Sequence, residues 1–201
     1  MSEERVNNIK KNRQLPRNPQ PKEWLSENYS RNKIADYKPY NFVDGEGVRC
    51  SLYVSGCLFA CPGCYNKIAQ NFNYGMEYTA ELEEKILNDL SAAYCQGLTL
   101  LGGEPFLNTG ITLSLAKKVR ERFGDTKDIW AWSGYTFEEL LLESTDKLEL
   151  LEYIDILVDG RFIQSKMDLG LQFRGSSNQR IIDVKKSLKL KEAVIWSKLN
   201  D

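Results

Sequence analysis

The sequence predicts an α/β fold built on a mostly parallel sheet that stays open. Three observations predict it. From about Val43 onward, short β-rich runs alternate with apolar stripes at helical spacing. The runs are separated by helical stretches of the length that βαβ units use. Only about four clear core strands follow Val48, which favours an open, partial (β/α) barrel over a closed eight-fold one.

The elements can be justified in order. Arg49–Val54 is a short β-rich run that ends at Ser55-Gly56. Thr79 is placed to cap a helix, with Glu81 in its first turn and Leu82, Ile86, Leu87 and Leu90 forming the apolar stripe. Leu98–Leu101 is a continuous apolar run halted by Gly102-Gly103, the pattern of a strand buried on both faces. Ile111, Leu115 and Val119 mark the next helix, and Ile129–Trp132 the next strand. Thr136 and Glu139 fit a capping box for a helix through Leu142. Ile154–Val158 again has the buried-strand pattern and ends at Asp159-Gly160.

Composition narrows the class of function. The 201 residues are 42% apolar and 27% charged, enough to bury a core without disulfide or metal staples. Twenty-seven Lys and Arg nearly cancel 28 Asp and Glu, so the net charge of −1 carries no footprint for nucleic-acid binding. No window approaches 18 uninterrupted apolar residues, and no membrane span is expected. The first 22 residues hold six Lys or Arg, two Glu and three of the six prolines, and so contribute +4 against −5 for the remainder. They lack the apolar run of a secretory signal, and the expected location is the cytoplasm. Residues 1–30 accordingly read as a basic, flexible arm, 31–184 as the domain, and 185–201 as a Lys-rich tail.

Zero histidines stand beside five cysteines. Without imidazole there is no Ser-His-Asp triad, no Cys-His pair and no His-ligated zinc. Three of the cysteines, Cys57, Cys61 and Cys64, follow the first strand at C-x3-C-x2-C spacing, with Pro62-Gly63 supplying a sharp turn. Three thiolates on a [4Fe–4S] cubane leave one iron free of protein ligands, unlike the four-cysteine clusters of electron carriers. A zinc site completed by Cys50 or Cys95, a redox pair and simple packing are the competing readings. Cys50 lies in a predicted strand and Cys95 at an expected helix end, where packing is the simpler account.

The loop, followed by the aromatic Tyr65, resembles the signature of the radical S-adenosylmethionine superfamily. Gly102-Gly103-Glu104-Pro105, at the end of the next buried strand, is similar to its second motif. Both lie at C-terminal strand ends, where α/β sheets place ligands. The resemblance extends from Lys33 to Arg180. Phe42–Arg49, Ser55-Gly56-Cys57 and Cys64-Tyr65-Asn66 resemble the opening of glycyl-radical activating enzymes. Trp132–Thr136, Leu157–Phe162 and Phe173–Arg180 resemble the branch that serves anaerobic ribonucleotide reductases.

What the resemblance implies is an open partial barrel of the radical S-adenosylmethionine type, with one [4Fe–4S] cluster per chain held by Cys57, Cys61 and Cys64. It implies S-adenosyl-L-methionine as cosubstrate, a flavodoxin-like electron donor, and the large catalytic subunit of the anaerobic reductase as the glycine-bearing protein substrate. No nucleic-acid or membrane partner is expected. Reductive cleavage would give a 5′-deoxyadenosyl radical that takes hydrogen from the glycine, so no side chain is assigned as an acid or base catalyst. Gly63, Cys64 and Tyr65 are assigned to the adenine side, Gly102, Gly103 and Glu104 to the methionine end, and Ser133 and Gly134 to the ribose or carboxylate. Asp159 stands between this mouth and a plain Asp-Gly turn, and Phe173–Arg180 between a phosphate nest and a segment that closes the site or docks the reductase. An activator of another glycyl-radical enzyme, of the pyruvate formate-lyase type, is the nearest alternative. A small iron–sulfur electron carrier is the alternative outside enzymes.

Overall fold

A computed structural model describes residues 19–198. Seven strands form one open sheet: β1 (Lys33–Asn41), β2 (Val48–Val54), β3 (Met76–Glu77), β4 (Cys95–Gly102), β5 (Asp128–Trp132), β6 (Ile156–Asp159) and β7 (Arg180–Asp183). Their spatial order is β3-β1-β2-β4-β5-β6-β7. The four central strands β2, β4, β5 and β6 are parallel, whereas β1 and β7 pair antiparallel to the centre and β3 antiparallel to β1. The parallel centre is the set of four strands readable in the sequence. The flanking strands were not readable: β1 contains Pro39 and is mostly exposed, and β3 pairs with it only at Lys33 and Ile34, so the rest of β1 has the character of an edge.

The helices are α1 (Ser26–Tyr29), α2 (Ala80–Leu90), α3 (Thr109–Phe123), α4 (Phe137–Leu140), α5 (Thr145–Tyr153) and α6 (Val184–Leu190). Thr79 caps α2 by accepting from the Leu82 N–H, and Thr136 and Glu139 form the expected capping box on α4. That helix stops at Leu140, two residues short of the expected Leu142. Cys95, expected at a helix end, is instead the first residue of β4. The turn between α2 and β4 is short enough that the strand begins three residues before its apolar run.

Strand alternation sorts the side chains. Ile129, Ala131, Leu157 and Ile182 join residues of α2, α3 and α5 in the main core, while Trp130, Val158 and Ile181 face the other side. There Trp196 packs edge to face on Trp130 at 5.1 Å, and no helix residue joins that smaller cluster among the described residues. The sheet therefore has one face covered by helices and one covered by non-helical segments that include Phe173 and Trp196. Residues 19–30 of the expected arm are packed on the domain: Trp24 is buried, and the Lys22 N–H donates to Glu143 at 3.2 Å. Residues 1–18 lie outside the described residues.

Candidate functional site

The C-terminal ends of β2, β4, β5 and β6 border a cavity of about 610 Å³. Cys57, Cys61 and Cys64 line it together with Gly102, Gly103 and Glu104, so the two motifs meet in space although some 40 residues separate them. Tyr65, Ser133 and Gly134 line it as well. Every residue assigned to the cluster or the cosubstrate except Gly63 lines this one cavity; Gly63 holds the turn that shapes the loop. Its φ of +74° lets Cys64 fold back, with the Cys64 N–H donating to the Cys61 carbonyl at 3.2 Å.

Beneath the loop lies an anchor that the sequence did not disclose. Phe59, 1% exposed, stands edge to face against Trp24 at 5.2 Å and Tyr135 at 4.9 Å. Buried Lys147 donates to the Trp24 carbonyl at 2.6 Å, the Tyr135 hydroxyl at 3.1 Å and Glu143 at 2.8 Å. The available signal was an aromatic between the first two cysteines, a position facing the core rather than the loop's centre.

Gly102-Gly103 joins the loop to β4. The Gly103 N–H donates to the Val54 carbonyl at 2.7 Å, and the Glu104 N–H to the Gly56 carbonyl at 2.8 Å. A Cβ on Gly103 would stand 2.5 Å from that Gly56 oxygen. The close approach that requires glycine here is thus to the start of the cysteine loop. Glu104 extends across to β5: its carboxylate accepts from the Ser133 hydroxyl at 2.9 Å, the Gly134 N–H at 2.8 Å and the Phe106 N–H at 3.1 Å. Burial pushes its carboxyl up to about 7 against those hydrogen bonds. A carboxylate has about four acceptor sites, so three donors leave it capacity toward the cavity.

Burial raises Cys57, with the Glu104 charge adding to it, and burial raises Cys61, with Cys64 adding to it. Bringing thiolates together here would therefore require a compensating positive charge of the kind a metal centre brings. Among the described residues, no three His, Cys, Asp or Glu side chains group closely enough to hold a single metal ion. A single tetrahedral zinc needs sulfurs about 3.8 Å apart at its ordinary bond length. A four-iron cubane takes each thiolate at a separate corner, and three free thiols around one cavity suit that demand.

Three further positions resolve. Asp159 accepts from the Phe137 N–H at 2.8 Å and pairs with Arg180, so its carboxylate braces β6, β7 and α4. The Gly175 and Ser176 N–H groups donate to Gln179 Oε1 at 3.0 and 3.2 Å, which occupies the phosphate nest suggested by Phe173–Arg180. Asp44 takes the Tyr53 hydroxyl at 2.5 Å and lies in the β1–β2 loop at the cavity's edge.

Fold and site define an iron–sulfur protein, and residues 43–182 match the family described as a 4Fe-4S single cluster domain. The chain is 45% identical over 149 residues to the anaerobic ribonucleoside-triphosphate reductase-activating protein of Pasteurella multocida, covering 72% of this chain and 93% of that protein. It is 46% identical to the protein of the same name from Vibrio cholerae, covering 72% and 94%, and 44% identical to that from Haemophilus influenzae, covering 72% and 94%. The chain belongs to the family of anaerobic ribonucleoside-triphosphate reductase-activating proteins.

Proposed function

We propose that this chain activates an anaerobic ribonucleoside-triphosphate reductase by installing a glycyl radical in its large catalytic subunit, with S-adenosyl-L-methionine as cosubstrate. The observation that carries the reading is the meeting of Cys57, Cys61 and Cys64 with Gly102–Glu104 around one cavity at parallel strand ends. In this reading the three cysteines hold one [4Fe–4S] cluster. When bound there, cluster and cosubstrate supply a 5′-deoxyadenosyl radical, the hydrogen-abstracting agent.

The chain's own residues bind, orient and exclude water. Glu104, held by Ser133 and Gly134, offers its remaining acceptor capacity to the cosubstrate's ammonium group. Gly102 and Gly103 border the methionine end, Tyr65 gives its aromatic face to the adenine beside Gly63 and Cys64, and Ser133 and Gly134 border the ribose or carboxylate. The open sheet, covered by helices on one face, is read as a partial barrel of the radical S-adenosylmethionine type. An open mouth suits a protein substrate, whose glycine must reach the cavity. Residues 31–184 carry the chemistry; of the segments 1–30 and 185–201 that flank them, the described parts, 19–30 and 185–198, pack on the domain through Trp24 and Trp196. A flavodoxin-like donor delivers the electron, and the protein works in the cytoplasm; among the described residues no helix is long and apolar enough to cross a membrane.

The test is anaerobic reconstitution with iron and sulfide, followed by incubation with S-adenosylmethionine, reductant and the reductase. We expect a brown protein, 5′-deoxyadenosine, and a doublet radical signal in electron paramagnetic resonance on the reductase, all lost in Cys61→Ala. A colourless zinc protein that yields no 5′-deoxyadenosine would falsify the reading. A radical signal on a different glycyl-radical enzyme, with none on the reductase, would reassign the target.

A further inference from the structure

Two cysteines have no part in this chemistry. Cys50 in β2 and Cys95 at the start of β4 are both buried and both free, and their Sγ atoms stand 3.8 Å apart. They lie at the opposite end of the strands from the cysteine loop; from Cys50 to Val54 the extended chain covers about 13 Å before that loop begins. In register, Cys95 faces Val48 and Cys50 faces Leu98, with an irregularity between Val48 and Arg49. The two thiols thus reach toward each other diagonally across neighbouring strands.

We propose that Cys50 and Cys95 are an oxidation site, at which a peroxide-class oxidant joins the two thiols in a disulfide across the base of β2 and β4. Four observations carry it. The sulfurs are already in contact, and because the two residues are offset across the strands, closing them to about 2.05 Å takes side-chain rotation together with a small shift of the start of β4. The pair is buried, at 0% and 2% exposure, but Tyr94, the residue before Cys95, is 63% exposed and packs edge to face on Tyr40 at 5.2 Å. So buried a pair suits an oxidant little larger than water rather than a bulky disulfide reagent. Lys127, whose ammonium donates to the Cys95 carbonyl at 2.5 Å and the Ala92 carbonyl at 2.9 Å, places a positive charge beside the pair. Finally, the two thiols are made unlike. The hydrogen bond from Cys50, with Lys127 assisting, lowers Cys95, whereas Cys50 is raised by the same contact and by burial.

The position of Lys127 on the Cys95 side assigns the roles. The Cys95 thiolate attacks one oxygen of the peroxide, the O–O bond breaks, and hydroxide leaves to become water, giving a sulfenic acid on Cys95. Cys50 gives up its proton and attacks that sulfur; the S–O bond breaks and the second oxygen leaves as water. Two thiols have lost two electrons, and one peroxide has become two waters.

The disulfide would tie together the two strands whose far ends carry Cys57 and Gly102–Glu104. Oxidants that strip iron from the loop thereby staple its scaffold, by closing a 45-residue separation. This inference stands whether or not the chain activates a reductase.

The test treats the iron-loaded full chain anaerobically with one equivalent of hydrogen peroxide and blocks free thiols. Chymotryptic digestion without reductant follows; cleavage after Tyr53 separates Cys50 from the loop cysteines. We expect a linked peptide pair containing Cys50 and Cys95, lighter by two hydrogens, released by dithiothreitol, and absent from Cys95→Ala and Cys50→Ala. The linked protein should melt roughly 5–10 °C above the same sample after reduction. Recovery of Cys50 and Cys95 as separate blocked thiols or sulfinic acids overturns the site. A linked protein that melts no higher than its reduced form overturns the staple.

Discussion

The same four parallel strands end in two different ways. At their C-terminal ends the backbone is irregular, the cysteine loop and Gly102–Glu104 border an open cavity, and Tyr65 and Leu169 stand 66% and 83% exposed beside it. At their N-terminal ends a buried Arg49 closes the sheet. Its Nε donates to Thr99 at 2.7 Å, Nη1 to the Glu46 carbonyl at 3.0 Å, and Nη2 to the Leu98 carbonyl at 2.9 Å and to Asp128. The guanidinium also lies 5.2 Å from the centre of the Trp130 ring. The base satisfies its donors internally; the mouth leaves thiols raised by burial and a carboxyl pushed up to about 7. Groups held this way are costly to ionise until a ligand arrives, which is the usual condition of a site built to bind charge. Rigid strands between the two ends let one hold the fold while the other keeps its strain.

The largest effect is expected where the mouth depends on closest approach. A methyl group at Gly103 collides with backbone, 2.5 Å from the Gly56 oxygen and 2.8 Å from its nitrogen, so no side-chain rotation relieves it. Gly103→Ala should cut 5′-deoxyadenosine formation about 100-fold, as displacements near 1 Å do at reacting centres. Its stability cost should be only about 1–3 kcal/mol. Unchanged turnover would show that the loop and the Gly102–Glu104 turn are not mechanically joined.

Arg49→Ala tests the base. It leaves Asp128 and Thr99 without their cation and removes the surface against Trp130, at a cost of about 3 kcal/mol in denaturant unfolding. Turnover per folded molecule should stay within about twofold at a temperature where the variant is folded, since none of the direct partners of Arg49 lines the cavity and Thr99 can still hold the Asp44 carbonyl. A loss matching that of Gly103→Ala would break the division between the two ends. Arg180→Ala is milder. Asp159, 1% exposed, keeps the Phe137 N–H but loses its cation, and about 2 kcal/mol should go with it. Iron content should not change, because Asp159 faces Arg180 and α4 rather than the cysteine loop.

The parallel centre was legible because strands buried on both faces read as continuous apolar runs, as in Leu98–Leu101. β1 and β7 were not: β1 shares its polar, proline-containing composition with loops, and β7 is only four residues long. In the site, the cysteine spacing and the Gly-Gly-Glu-Pro turn were visible as local patterns. Their companions were not. Phe59, Trp24 and Lys147 work through contacts spanning up to 123 residues, and no spacing rule encodes those. Cys50 and Cys95 looked like two packing residues because their pairing depends on β2 and β4 being neighbours in register. The close approach of Gly103 to the Gly56 backbone was likewise invisible, because it depends on where the cysteine loop lies in space.

The smallest effect belongs to the outer part of the Arg180 pair, where the mouth borrows the base's device of a charged brace. Arg180 donates to Glu138 at 3.1 and 2.7 Å and holds its carboxyl below the usual carboxylate range. A depressed folded pKa contributes stability that is present above the unfolded carboxylate range and is lost as pH falls through the folded value. Glu138 is 56% exposed, so solvent and salt screen most of this contribution. Wild-type protein should therefore lose a little more stability than Glu138→Gln on acidification below about pH 4.5, and the gap should close at high salt. Equal acid limbs for the two proteins would mean that Arg180 spends its charge on buried Asp159 alone, making the brace internal, like Arg49 at the other end.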